Sequence, residues 1–461
     1  MRTIPAGILA LLKSKSMIGA EGPVRYVYFP DYNLYLDPSN ITIDREEAAD
    51  SQRCIIEIIN SNDADPTDMG YYTPYRNTDF GKTQNDWHYV IVPGHKVQVL
   101  LGYGANNTTV FTGEIDEVTI SAKPKEYKIS IDCRCLACWL VDQQVKLTSG
   151  GVTDYYIEYP LPDDIGATYW LEPGSETIPD ISDIVKDLCM RAGFAAADVI
   201  IETSGITLDP EFEKMSYMDC INELCTAAGF VFWVDEDGKC RFCHQTDREP
   251  SVTDETHVAG NFVIANPHVV SGSDLLYSAA GQTGTHWIRN TNYTINLITG
   301  AVTNINMTGT VYCTYVYAGW QFKEGEDIYS LDLVISRRNM YGTIRVAGDG
   351  DEGVVATSLP FFDTGSVKAD KVLFADNQYL DSEAKCTACA NRLQFDMLCR
   401  YICCNFATVG NPWLQIGDNI MIVESSTTIS EVYKILSMSH NVTTEGFTTT
   451  LKTYHVGYTP L

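Results

Sequence analysis

The sequence predicts a mainly β protein with an α+β portion, and three observations carry that expectation. Alternating apolar and polar residues run through both ends of the chain. Two helical patterns, each ending on glycine, interrupt them in the middle. One Gly-polar opening of a strand occurs twice, as "PGHKVQVL" at Pro93 to Leu100 and as "IGDNIMIV" at Ile416 to Val423.

At 461 residues the chain exceeds one ordinary core, so three or four domains of roughly 100 to 150 residues are expected. Its 45% hydrophobic and 11% aromatic content suits packed globular domains rather than disorder. The formal charge of −28 argues against a nucleic-acid groove, which needs cations to neutralise phosphates, and against attraction to anionic lipid. Fifteen cysteines are an odd count in a chain with ample core, which points to reduced thiols used as small hydrophobes. "MRTIPAGILALLKSKS" reads as an arm or short helix rather than a signal peptide, and no stretch approaches the roughly 20 apolar residues of a membrane span. The expectation is a soluble protein made in the cytosol.

After an N-terminal arm, 1–23, residues 24–146 read as strands: "VRYVYF", "YNLYL", the apolar run Cys54 to Ile59, then "HKVQVLLGYG", "TVFTGEIDEVTIS" and "EYKISIDCRC". Between them lies a polar, turn-rich loop, "NDADPTDMGYYTPYRNTDFGKTQND". Residues 147–259 form a small α/β module. In it Ile181, Ile184, Val185, Leu188 and Cys189 share a helical face that ends at Gly193. A second helix starts at a capping-box-like Ser216 and Asp219, carries Ile221, Leu224, Cys225 and Ala228, and stops at Gly229. "FVFWVDEDGKCRFC" then reads as a hairpin turning at Asp-Gly. Residues 260–370 are a further β-rich region, whose fold the pattern leaves open. Residues 371–461 begin with a helix placing Cys386, Cys389, Ala390, Leu393 and Met397 on one face, and continue into "NIMIVE", "ISEVYKILSMSH" and "FTTTLKTYHV". That three-strand order repeats the one after Gly94.

The phrases "NDWHYVIVPGHKVQVLLGYG" and "FTGEIDEVTI", the helix pair before "GFVFWVDEDGKCRF", and the ending "NPWLQIGDNIMIVESS…VYKILSMSHNVTTEGFTTTLKTYHV" resemble the baseplate hub, or tail hub, proteins of bacteriophages and phage-like contractile injection systems. The resemblance implies two tail-tube-like β-barrel domains per chain, so that a homotrimer presents six barrels in a ring joining a sixfold tube to a threefold spike or fibre. It also implies a place in the virion tail tip. The partners it implies are the chain itself, a tail tube or distal tail protein, a spike, fibre or tip protein, and the C-terminus of a tape measure protein. DNA would pass an acidic channel without specific binding, and no membrane insertion by this chain is expected. Solubility alone accounts equally well for the negative charge.

No cofactor, metal or catalytic site is expected. "CRFCH" at Cys240 to His244 has the form of a haem attachment motif. With Cys386 to Cys389 and Cys133 to Cys138 it could be assembled into a zinc site. Cys240 and Cys243, however, stand on opposite faces of a strand, and Cys386 and Cys389 on an apolar helix face, so core burial is the expectation. Asp235, Asp237 and Gly238 form a hairpin turn rather than an EF-hand, since Thr246 stands at its twelfth position. Asp349, Asp351 and Glu352 in the acidic loop 348–353 offer oxygens to a cation, against the plainer reading of a solvated turn. "GYG" at Gly102 to Gly104 is a turn. Glu114 and Asp116 have the spacing of a paired acid and base, although 60 acidic residues make chance pairs common. Tyr71, Tyr72, Tyr75, Trp87 and Tyr89 flank the long loop and suit either a subunit contact or packing on their own domain. The alternatives to a structural hub are a tail-associated cell-wall hydrolase and a host-glycan-binding tail module. The resemblance implies that lytic domains usually follow the hub portion; with the final strand "TLKTYHVGYTP" reaching Leu461, a non-enzyme is the expectation.

Overall fold

Strand formation at both ends follows from runs of β-branched and aromatic residues with period-two burial, each broken by a glycine or a polar turn. A computed structural model describes residues 23–46, 52–62, 65–69, 72, 87–123, 126–149, 152–162, 170–175, 177–244, 251–266, 268–270, 273–336, 341, 343–348, 354–358, 372–376, 380, 383, 386, 387, 389–391, 393, 397, 401–424 and 429–456. The chain is mainly β.

The N-terminal strands are β1 (Pro23–Phe29), β2 (Leu34–Leu36), β3 (Asn40–Glu46), β4 (Arg53–Ile59), β5 (Lys96–Tyr103), β6 (Asn106–Lys123) and β7 (Glu126–Cys135). In space they run β2-β1-β5-β6-β7-β4-β3, every neighbour antiparallel. A short helix α1 (Cys138–Asp142) leads into the α/β module, which holds α2 (Ile181–Ala192), β8 (Val199–Ile201), α3 (Tyr217–Ala228), β9 (Phe230–Val234) and β10 (Cys240–His244).

Both module helices form as their sequence faces predict. Ile181, Ile184, Val185, Leu188 and Cys189 are all fully buried, Asp180 caps α2 by accepting from the Ser182 N–H, and Gly193 closes it at φ 116°. Ser216 caps α3, accepting from the Asp219 N–H at 3.0 Å while its hydroxyl donates to the Asp219 carboxylate at 2.7 Å. The β9–β10 hairpin turns at Asp237-Gly238 as expected, and β8 adds to it in parallel.

Residues 251–316 fold on a core of their own that includes Ile264, Leu276, Tyr293, Val302, Val311 and Tyr315. Ser251–Val258, Thr310–Val316, Leu275–Ala279 and Thr283–Trp287 pair in that order as one sheet; Phe262–Val263, Ala301–Asn304 and Tyr293–Asn296 form another. The chain then enters β11 (Trp320–Lys323), β12 (Ile328–Ile335), β13 (Ile402–Val409), β14 (Asn419–Glu424), β15 (Ile429–Thr443) and β16 (Phe447–His455). Their spatial order is β11-β14-β15-β16-β13-β12.

Five strands of each half therefore correspond one to one. β3, β4, β5, β6 and β7 match β12, β13, β14, β15 and β16 in chain order, in neighbours and in direction. The sixth strand breaks the match, because β1 lies antiparallel to β5 whereas β11 lies parallel to β14. Insertions fall at different joints. Residues 60–95 separate β4 from β5. Between β12 and β13, residues 336–401 carry the strands Thr343–Ala347, Val354–Ser358 and Val372–Asp376. In this insertion Cys386, Cys389, Ala390 and Met397 are buried with Ile344 and Val346, and Leu393 packs against them, the face the helical spacing predicts.

The two halves are not separate sheets. β3 pairs with β15 over seven residues, from Asn40 opposite Thr443 to Glu46 opposite Ser437, making one 13-stranded sheet. Its strand order is open at β2, at β11 and at β12, so no closed barrel occurs among the described residues. A single apolar core runs beneath both halves and the α/β module, with Phe29, Phe111, Phe212, Phe242, Phe406 and Tyr433 fully buried. Burying each such side chain contributes roughly 1.5–3 kcal/mol.

Candidate functional site

Gly94 and Gly417 occupy the same post in the two halves. Their φ angles are 87° and 86°, a conformation glycine adopts without the strain a Cβ would bring. The Gly94 N–H donates to the Ile115 carbonyl at 2.8 Å, and the Ile115 N–H donates to the His95 carbonyl at 3.0 Å. Gly417 donates to Ile435 at 2.9 Å, and Ile435 to Asp418 at 3.0 Å. One residue after Ile115, and one after Ile435, is bulged out of the ladder with the following strand. A bulge bends its strand. Both long strands therefore pair with the preceding strand before the bend and expose a fresh edge after it.

In β15 that edge is taken by β3. The contact extends beyond the ladder: Tyr103 donates its hydroxyl to the Gly410 carbonyl at 2.8 Å and stacks on Phe447, while Ser439 donates to Asp44 at 2.6 Å and Arg25 to the Thr443 carbonyl at 3.0 Å. Gly410 lies so close to the Phe447 ring that no Cβ fits there.

Three parts of the chain meet beneath this junction. Arg45, on the inward face of β3 with Ile41 and Ile43, forms a buried ion pair with Glu236 from the β9–β10 turn. Gln415 of the C-terminal half donates to the Glu236 carboxylate at 2.8 Å, Thr112 of β6 donates to its carbonyl at 2.7 Å, and Arg45 donates to Gln52 at 2.7 Å. His440 lies fully buried next to them, 2.9 Å from the Thr449 hydroxyl. Burial first, and the Arg45 guanidinium second, lower its pKa to about 3, so it stays neutral. None of Arg45, Glu236 and His440 stood out in the sequence; the available signal was a charge at Arg45 where the alternation of Ile41 and Ile43 calls for an apolar residue.

The post-bulge edge of β6, Glu117 to Ala122, has β7 on one side and no strand on the other among the described residues. Among the described strands, β12 likewise pairs only with β13. Both edges carry exposed apolar side chains: Ile120 is 45% exposed, and Leu333, Val334 and Ile335 are 37%, 40% and 60% exposed.

The motifs considered for chemistry are absorbed into structure. Cys240 is buried beside Cys189 while Cys243 is half-buried, as strand geometry predicts, so CRFCH does not converge. Cys133 is buried in the main core and Cys138 is buried at the start of α1; burial raises the Cys133 thiol and pushes Cys138 up to about 12. Asp235 spends its carboxylate on the Asp237 and Lys239 N–H groups, at 3.1 and 2.9 Å, and on Arg241 at 2.8 Å. Asp116 is the bulged residue, and Arg134 clamps it together with Asp142, lowering the Asp142 pKa. It is thereby tied into an ion-pair network rather than paired with Glu114. Gly104, at φ 56°, closes the β5–β6 turn. Among the described residues, no three His, Cys, Asp or Glu gather around an ion position, and no helix is long and apolar enough to cross a membrane.

Of the loop aromatics, Tyr89 is exposed, and Tyr72 packs against the core with its N–H on Asn60 at 2.9 Å. Trp87 lies in a short helix, Trp87–Val90. Tyr71 and Tyr75 lie outside the described residues, as do Asp349, Asp351 and Glu352 of the acidic loop and the arm from 1 to 22.

No family model matches the sequence, and no curated protein matches it. Solved structures do match its shape. A tail protein from Neisseria meningitidis MC58 superposes with a TM-score of 0.55 at 10% identity, over 94% of this chain and 96% of that one. The 43 kDa tail protein of prophage MuSo2 from Shewanella oneidensis gives 0.52 at 11% identity, over 95% and 98%. The likeness is one of fold, spans nearly the whole length of both partners, and gives this chain the fold of these two tail proteins.

Proposed function

We propose that this chain is the structural hub of a phage or phage-like tail tip. In this reading three copies form a ring in which the two matched strand modules stand as six equivalent, barrel-like units. Residues 24–146 supply one unit, and residues 371–461 with β11 and β12 supply the other. The ring joins a sixfold tail tube or distal tail protein to a threefold spike, fibre or tip protein, and receives the end of the tape measure protein.

The observation that carries this reading is the five-strand correspondence with its shared glycine, hydrogen bonds and bulge. A chain that repeats one module twice gives a threefold assembly six near-identical positions. The net charge of −28 supports a channel that DNA passes without sticking, since carboxylates repel phosphates. The role is non-enzymatic, in keeping with tail-protein neighbours and with carboxylates and thiols tied into ion pairs, turns and core. Imaging the purified full chain by electron microscopy tests the proposal: a threefold ring with an open centre is expected, and a population of single asymmetric particles at micromolar concentration contradicts it.

A further inference from the structure

We propose that β12 of one chain adds antiparallel to the Glu117–Ala122 edge of β6 in a second copy of the same chain, with Leu333 opposite Ile120. This rests on the ring reading above and names the strands that close the ring.

The register comes from the internal repeat. Cys54 lies opposite Ile43 and Cys133, and Cys404 lies opposite Leu333 and Thr453. Ile115 and Ile435, the hinge residues of the two bulges, lie opposite Cys133 and Thr453. Leu333 is therefore the counterpart of Ile43, and the equal step from Ile115 to Ile120 and from Ile435 to His440 makes Ile120 the counterpart of His440. Within one chain Ile43 lies opposite His440, and both are fully buried. Their counterparts Leu333 and Ile120 are exposed large apolar side chains on two edges that no described strand covers.

The same arithmetic sets Ile335 opposite Val118, as Arg45 is opposite Met438, and Leu331 opposite Ala122, as Ile41 is opposite Val442. Side chains directly opposite in an antiparallel pair share a face and touch. The edge strand "IYSLDLVI" has no Lys or Pro and only one charge, Asp332, to discourage pairing, and it ends in three consecutive exposed apolar residues. Proteins that leave an edge free normally guard it more heavily, so an apolar edge with a single charge points to an occupant. Among the described residues each chain has one such strand and one such edge, placed as β3 and β15 are. The contact is head-to-tail, and repetition of one rotation closes a ring. The intrachain β3–β15 step and the interchain β12–β6 step alternate around it.

The full chain carrying both L333C and I120C tests the register. Under mild oxidation it should give covalent dimers and trimers on a non-reducing gel. V334C with I120C, one residue out of register, should give on the order of tenfold less. In parallel, L333K and I120K, both at exposed positions that leave the chain folded by circular dichroism, should raise the concentration for half-assembly on the order of a hundredfold. L333K combined with I120E should restore it. A trimeric wild type whose assembly ignores these variants, and whose L333C/I120C form does not cross-link beyond wild type, overturns the strand pairing and leaves the ring. A wild type that stays monomeric overturns both.

Discussion

The opening strand of the N-terminal module, β3, is buried between β4 and β15, whereas its counterpart β12 has β13 on one side and an exposed apolar margin on the other. Topology, glycine turn and bulge agree between the modules while the residues at the two edges diverge. Where one chain supplies both sides of the junction, Arg45 and His440 are buried with Glu236 of the α/β module. At the matching positions Ile335 and Ile120 are apolar and exposed. The backbone plan is thus reused, and the side chains record which edge is filled from within. A buried ion pair adds little net stability against an apolar pair but penalises any other register, because it leaves a charge unpaired.

Breaking that pair gives the largest expected difference. Glu236→Ala strands the Arg45 guanidinium and should cost about 3–5 kcal/mol in urea unfolding. Ile335→Ala, at the counterpart of Arg45, should change it by less than about 0.5 kcal/mol in chains kept apart by dilution. Equal losses would show the two edges to be energetically alike and remove the contrast.

The pH dependence comes next. A histidine held neutral in the fold binds its proton only near pH 3 but binds it near 6.5 when unfolded. Its contribution is therefore complete above pH 6.5 and is lost as the pH falls towards 3, by an amount of order 4 kcal/mol. His440→Gln should flatten stability against pH by close to one proton over this window. An unchanged slope would mean that His440 is already protonated in the fold.

Ile43→Ala should cost about 2–4 kcal/mol through its cavity, while Leu333→Ala, its exposed counterpart, should cost little in dispersed chains and more in assembled ones. Thermal unfolding across a dilution series separates the two. The smallest effect should be symmetric: Gly94→Ala and Gly417→Ala each force a Cβ into a left-handed turn, at about 1 kcal/mol apiece. A cost at one glycine and none at the other would undo their equivalence.

Much of this was legible in the sequence because it is local. Strand alternation after Gly94 and Gly417, the faces and caps of α2 and α3, the Asp-Gly hairpin and the apolar face around Cys386 all depend on residues within a turn or two of each other. The strand between residues 328 and 335 could not be read as part of the second module, since the 336–401 insertion separates it from β13. Nor could the pairing of Asn40 with Thr443, which no local pattern encodes. The buried node was hidden for the same reason: Glu236, Gln415 and His440 each look like ordinary surface residues until three distant segments meet, and only Arg45, which breaks the alternation of Ile41 and Ile43, carries a local sign.

In the proposed hub the two modules take equivalent places around one axis. An electron-microscopy map of the assembled protein that traces individual strands measures this directly. Six copies of the five-strand module at steps of about 60° around an open channel are the predicted result. A map in which the two modules of a chain lie at different radii, or face away from a common centre, would contradict it.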